Sequence, residues 1–323
     1  MAALSDRQPE SVIELRRITA DHLSALLEEE TAEWRAGLDW DFRASAELVR
    51  RFVNMHALTG VALVKGPRAT GYAYYVCEED KGLVGDLYVS REHRTLESEN
   101  ALLGAMLRAL WQTAGVQRVE AQLMMLSSAA SRPVPYAEWF SRYPRHFLEA
   151  PLGPILRLPG RHHPGLAIAP WLEDRQEETA RLIAASYQGH IDSQVNDQYR
   201  SPAGARRFLT NIVQYPGCGT FFAPASFAAI ESSTGLLRGI SLASLVAYDV
   251  GHITQVCVAP ELQGTGLGYE LVRRSLLAFA AHGCRAASLT VTTTNAPALR
   301  LYRSMGFTNR RDFAAYVWQR PVR

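Results

Sequence analysis

Cysteine is scarce. The 323-residue chain has four, Cys77, Cys218, Cys257 and Cys284, and no two are close enough to form a C-x-x-C pair. Zinc-ribbon and thioredoxin readings therefore fail, and thiols so thinly scattered point to a reducing compartment. Charge of one sign is also lacking. Lys and Arg number 34 against 32 Asp and Glu, a formal balance of +2, too small for a surface built to hold a nucleic-acid backbone. No apolar run approaches the roughly 18 residues of a membrane span; the longest candidate, Phe221 to Ile230, is broken by Pro224. Met1 to Gln8 contains no apolar signal-peptide core. These absences predict a cytoplasmic protein with no membrane or nucleic-acid partner and no metal. What is present, 47% hydrophobic and 20% charged residues, excludes wholesale disorder. The length suits about two domains.

Pro151 to Gly165 is dense in helix and strand breakers, although Ile155 to Leu158 is short and apolar enough to finish a strand. Pro159 to Pro164 reads as the linker, dividing the chain into domains 1–158 and 159–323. The second half reads in the order β-α-α-β-β-β-α-β-α-β. Leu166 to Trp171 is a strand, and Glu173 to Tyr187 and Pro202 to Val213 are helices, the second stopped near Pro216-Gly217. Thr220 to Glu231 and Leu236 to Tyr248 are strands joined at Ser232-Ser-Thr-Gly235, and His252 to Val258 is another. Leu267, Leu271, Val272, Leu276 and Phe279 repeat at helical period up to a glycine stop at Gly283. Ala286 to Thr292 is an apolar strand, Asn295 caps a helix ending at Gly306, and Phe313 to Trp318 is the last strand. The first half repeats this order more faintly. There the aromatic stretch Pro133 to Tyr143 reads as helical.

One segment carries chemistry: Val258-Ala-Pro-Glu-Leu-Gln263-Gly264-Thr265-Gly266-Leu267-Gly268. A strand ends, a glycine-rich turn follows and a helix begins. Amides at a helix N-terminus are unpaired and carry the positive end of its dipole, and glycines let a bulky anion reach them. The turn is a phosphate or diphosphate cradle. It has G-x-G-x-G where a Rossmann site needs G-x-G-x-x-G, and the following strand offers no acid. It has no lysine for a P-loop.

The segment does satisfy the Q/R-x-x-G-x-G/A turn of the GCN5-related N-acetyltransferases, the GNAT superfamily. Asn295-Ala-Pro-Ala-Leu-Arg-Leu-Tyr302-Arg-Ser-Met-Gly306-Phe307 then resembles that family's N-x-x-A-x-x-L-Y-x-x-x-G-F signature. The two motifs, in this order, make the chain similar to a tandem GNAT protein: an α/β (α+β) fold of two GNAT-like domains, each a mixed, mostly antiparallel sheet flanked by helices. The resemblance implies acetyl-CoA as co-substrate and a direct attack on it by a primary amine, small molecule or peptide, in a ternary complex. It places the acyl-CoA arm where the strand at 252–258 splays from that at 286–292, along the backbone of Val256, Cys257 and Val258. It assigns the diphosphate to Gly264, Thr265, Gly266, Leu267, Gly268 and Tyr269, with Gln263 and Asn295 beside it. Tyr302 becomes the acid that protonates the departing thiolate. His252 occupies the position where several family members carry a glutamate base; Asp249 and a water chain are its competitors. The loop from Ser186 to Ser201, with two aspartates and two tyrosines, is the candidate receiver of the amine.

In the first half Arg94 aligns with Gln263, and Thr95, Glu97 and Glu99 replace the three glycines. Side chains and carboxylates there oppose a diphosphate, so the N-terminal half resembles a GNAT domain without its cofactor site. The rival reading from another class is a non-catalytic acyl-CoA-binding or regulatory protein.

Overall fold

The computed structural model describes residues 11–127, 131–215 and 217–321. The expectations for Met1 to Gln8 and for Pro216 lie outside the described residues. In chain order the first elements are β1 (Ser11–Glu14), α1 (Ala20–Leu38), α2 (Arg43–Asn54), β2 (Gly60–Lys65), β3 (Arg68–Glu78), β4 (Lys81–Val89), α3 (Leu96–Gln112), β5 (Arg118–Gln122) and β6 (Phe140–Pro151). Then come α4 (Leu152–Ile155), β7 (Leu166–Pro170), α5 (Gln176–Ser186), α6 (Asp192–Val195), α7 (Pro202–Gln214), β8 (Thr220–Phe221) and β9 (Phe227–Glu231). The last are β10 (Leu237–Ala247), β11 (Val250–Val258), α8 (Leu267–His282), β12 (Ala286–Thr292), α9 (Ala296–Ser304) and β13 (Thr308–Gln319). Among the described residues no helix is long and apolar enough to cross a membrane.

The chain forms two compact units. One comprises residues up to 36, 42–144 and from 313 onward; the other comprises 37–41 and 145–312. The expected cut at 158/159 follows chain order, and strand pairing divides the chain differently. Residues 315–319 of β13 pair antiparallel with β5, which completes the first unit's sheet in the order β1-β2-β3-β4-β5-β13. Residues 145–151 of β6 pair with β12, which completes the second unit's sheet, β6-β12-β11-β10-β9-β7. Two local expectations are corrected. Pro133 to Tyr143 contains only a short 3-10 turn at Ala137–Trp139 before β6 begins. Pro144 and Pro151 mask that strand in the sequence, because proline argues against a paired strand. Ile155 to Leu158 follows as the end of α4 and a turn, not as a strand.

The first unit's core gathers Leu102, Met106 and Leu110 of α3 over Val119 of β5 and Tyr316 and Trp318 of β13. The second unit has two main clusters. Val272, Leu276 and Phe279 of α8 pack with Ile253, Ala287, Leu289 and Leu299. Ile183 of α5 and Leu209 and Ile212 of α7 pack with Ile240, Leu242 and Cys257. The central pair of this unit positions the site. β11 and β12 are parallel and pair only from Val250–Ala286 to Ile253–Leu289. Beyond that point both strands continue without pairing to each other, so a wedge opens between them.

Candidate functional site

Gly264 and Gly266 lie at φ +78° and +91°, a left-handed backbone that residues with a Cβ adopt at a cost. Gly266 is the N-cap of α8. The first intrahelical bond runs from Glu270 N to Gly266 O at 3.1 Å, so the amides of Leu267, Gly268 and Tyr269 have no carbonyl one turn back. A Cβ on Gly264 would meet nothing within 4 Å, and one on Gly268 would make ordinary contacts, 3.7 Å from Val258. The turn is thus open above Gly264, with free donors behind it, and it fits a diphosphate. Gln263 ties the turn to the strand, its Nε2 donating to Val258 O at 3.3 Å. Thr265 is exposed and folds its hydroxyl back to Leu262 O at 2.7 Å.

The edge of β11 that faces the wedge is already in use. Tyr187 Oη donates to Val256 O at 3.3 Å, and Ser186 Oγ donates to Val258 O at 3.0 Å. Gln255 is buried beneath them, with Nε2 on Tyr187 Oη at 2.9 Å and Oε1 accepting from Tyr199 Oη at 3.3 Å. A pantetheine arm laid along Val256 to Val258 would take the strand's amides or displace these hydroxyls.

At the open end of β12 a polar group assembles. Asn295 caps α9, its Oδ1 accepting from Ala298 N at 3.2 Å. Its Nδ2 faces His190 Nε2 at 3.2 Å. His190 Nδ1 receives the Asp192 amide at 3.1 Å and lies 3.7 Å from the Asp192 carboxylate. That carboxylate accepts a short hydrogen bond from Thr292 Oγ1 and sits 3.9 Å from Arg145. The Tyr187 ring meets the His190 ring edge-on at 5.1 Å.

Tyr302 is partly buried against Phe307, with ring centroids 5.9 Å apart. Burial and the nearby Asp192 carboxylate push its hydroxyl up to about 12, against a smaller opposite pull from Arg145. The hydroxyl makes no hydrogen bond to any described residue, so it keeps its proton through the physiological range and has it free to donate.

His252 does not join this group. It lies on the paired part of β11, 5% exposed, with its ring 5.2 Å from Trp40 and 6.0 Å from Phe147. Its Nδ1 is 2.9 Å from Ser288 Oγ. Burial lowers its pKa to about 3, leaving it neutral and a weak proton acceptor near pH 7. Asp249 is held by Arg285 at 2.9 Å. His190, Asp192, Arg145 and Arg161 had no motif to mark them. The first two stand in the loop read as the candidate receiver of the amine, where nothing in the spacing singles them out, the third in a strand hidden by prolines, the fourth in the linker. Among the described residues no group of three or more His, Cys, Asp or Glu is placed to hold a metal ion.

The first unit handles the matching turn differently. Thr95 and Ser98 form a reciprocal capping box at the start of α3, with bonds of 3.0 and 2.9 Å, so its own side chains take part of the open donor set. Arg94 pairs with Glu33 at 2.8 Å. Glu99 is buried, ion-paired with a fully buried Arg132, and accepts Ser127 N at 3.1 Å. The expected carboxylate repulsion from Glu99 is therefore neutralised internally.

Comparison with known proteins adds three findings. Residues 194–307 match the acetyltransferase (GNAT) family. A Mycothiol acetyltransferase of Thermomonospora curvata is 38% identical over 88 residues, 27% of this chain, and the match spans only 29% of that protein. In fold, a GCN5-related N-acetyltransferase from Sphaerobacter thermophilus superposes with a TM-score of 0.67 at 18% identity, covering 97% of this chain and 96% of that one. A tandem GNAT protein from the clavulanic acid biosynthesis pathway gives 0.63 at 15% identity over 98% and 100%.

Proposed function

From a chain with the tandem GNAT fold, whose residues 194–307 match the acetyltransferase (GNAT) family, we propose an N-acyltransferase that moves an acetyl group from acetyl-CoA to a primary amine, with the chemistry in the second unit. The observation that carries this reading is the pairing of an open-amide glycine turn with the unpartnered, protonated hydroxyl of Tyr302. The likeness to a Mycothiol acetyltransferase, partial as it is, supports the acetyl donor. When bound, acetyl-CoA supplies the acyl group already activated as a thioester.

The chain's own residues then have distinct tasks. The amides from Gly264 to Tyr269 hold phosphate oxygens at the positive end of α8. Val256 to Val258 and the hydroxyls of Ser186 and Tyr187 line the arm. Tyr302 donates its proton to the leaving sulfur. The incoming amine must lose a proton, and in this reading a water chain beside the partly exposed His190 ring and the Asp192 carboxylate carries it away in place of His252, since the Nδ1 lone pair of His190 is taken by the Asp192 amide. His252 is enclosed by Trp40 and Phe147, whereas the His190 ring is reachable. Asp192 orients that ring from the Nδ1 side, and its charge is shared with Thr292 and Arg145. The acceptor is a small-molecule or peptide amine.

A thiol-release assay with acetyl-CoA and a panel of primary amines tests the reading. Amine-dependent release of CoA is the expected result. Tight CoA binding with no release from any amine would favour the rival, a non-catalytic acyl-CoA-binding protein.

A further inference from the structure

Residues 158–161, just before β7, run along the first two turns of α8. Tyr269 Oη donates to Pro159 O at 3.0 Å and Arg273 Nε to Leu158 O at 2.9 Å. The Arg161 amide donates to Glu270 Oε2 at 2.9 Å. These bonds set the Arg161 guanidinium 4.4 Å from the centre of the Tyr269 ring. Its Nη1 also lies over Gly266, where an added Cβ would collide with it.

The charges here are unbalanced. Arg273 and Arg274 pair with Glu270 at 3.2 and 2.9 Å. Among the described residues the Arg161 guanidinium has no carboxylate partner. A cation therefore stands beside the positive end of a helix dipole, where cations are disfavoured. An anion seated between the two would make both interactions favourable.

We propose that Arg161 is a phosphate-binding residue, its guanidinium closing over a diphosphate held on the amides of residues 264–269. This rests on the acyl-CoA reading of the glycine turn. A guanidinium offers two parallel donors that match phosphate oxygens, and its plane stacks on an aromatic ring as an ammonium cannot. Gly266 is then needed for its φ of +91°, and an added Cβ there would also push the Arg161 guanidinium from its place. Arg161 lies outside both sequence motifs of the turn, in a segment that reads as linker.

Calorimetric titration of the full chain tests this, with CoA and, separately, with pantetheine, which lacks the diphosphate. Melting temperatures show that each variant is folded. The wild type is expected to bind CoA. Arg161→Ala should weaken CoA by about tenfold or more and flatten the salt dependence of binding, with pantetheine affinity unchanged. Arg161→Lys should fall between. Unchanged CoA affinity in Arg161→Ala would reduce Arg161 to a packing residue on Tyr269, and tighter binding would make it a plug; either overturns the proposal. Equal losses for CoA and pantetheine would overturn it too, because the effect would not lie at the phosphates. A wild type that binds no CoA would sink the glycine-turn reading itself, a result distinct from all of these.

Discussion

Tyr302 and Glu30 show how burial decides what a side chain can do. With its pKa pushed up to about 12, Tyr302 stays protonated through the physiological range. Tyr302→Phe keeps the packing on Phe307 and removes only the donor. Turnover should fall about 10²-fold, the usual range for a lost general acid, with CoA affinity unchanged by calorimetry. Normal turnover would mean that water protonates the thiolate. In the first unit Glu30 is wholly buried and accepts from Tyr72 Oη at 2.8 Å and Trp34 Nε1 at 3.3 Å. Desolvation, then the neighbouring Asp86, raise its pKa well above the ordinary 4.5. The folded state thus holds a proton that the unfolded chain releases. That contribution to stability is complete below pH 4.5 and is lost as the pH climbs through the raised value. Glu30→Gln keeps an acceptor for Tyr72 and cannot ionise. Its melting temperature should therefore fall less than the wild type's between pH 5 and 9, by a few degrees at the alkaline end. Parallel curves for the two proteins would show that Glu30 does not titrate in that window.

At the scale of the element, the turn into α8 is the most constrained backbone in the site. Gly266→Glu would force a Cβ into a left-handed conformation at a cost of about 1–2 kcal/mol. It would also place a carboxylate beside Arg161 and the helix terminus, where the proposed diphosphate belongs. CoA affinity should be lost while the protein stays folded, because α8 keeps the buried contacts of Leu271, Leu276 and Phe279. Stabilisation of this variant by CoA to the wild-type extent, measured as a rise in melting temperature, would rule out the diphosphate site. The start of α3 makes the contrast. There Thr95 and Ser98 cap the helix with their own side chains, and Glu99 and Arg132 fill the space with a buried ion pair. An element of the same type at the same place in its sheet thus has part of its donor set closed by its own side chains.

For the whole molecule, that contrast predicts one acetyl-CoA per chain, read as the stoichiometry of a calorimetric titration of the full protein; a value of two would show that the first unit keeps a site. The strand pairing makes a second prediction. A fragment of residues 1–158 lacks β13, whose Tyr316 and Trp318 are fully buried in the first unit. It would expose the edge of β5 and much of that core, a template for aggregation. The fragment should aggregate or give a weakened, broad melt. A cooperative melt like that of the full chain would show that β13 is dispensable.

Much of this was legible without coordinates, for reasons that are local. The wedge strands, the glycine turn and α8 read correctly because a glycine at positive φ, an apolar period of 3.6 and a glycine stop each report backbone geometry directly. β12 is legible to the residue because Ala287, Leu289 and Val291 alternate with Ser288, Thr290 and Thr292 at the period of a strand, between the Gly283 stop and the Asn295 cap. Asn295 read as a cap because capping is a property of its neighbours in sequence. The sequence by itself therefore determined the run of elements from β11 to β13, the two motifs within it and the glycine-marked start of α8. The tertiary structure alone decided which unit each strand completes, since pairing depends on partners more than 100 residues away. It also decided that His252 is sealed between Trp40 and Phe147, and that His190 meets Asn295 and Asp192 meets Thr292 at the end of β12. It decided as well that Arg161 returns to the glycine turn. Burial and long-range contact set the proton affinity and reach of these side chains, and neither quantity is written in residue spacing.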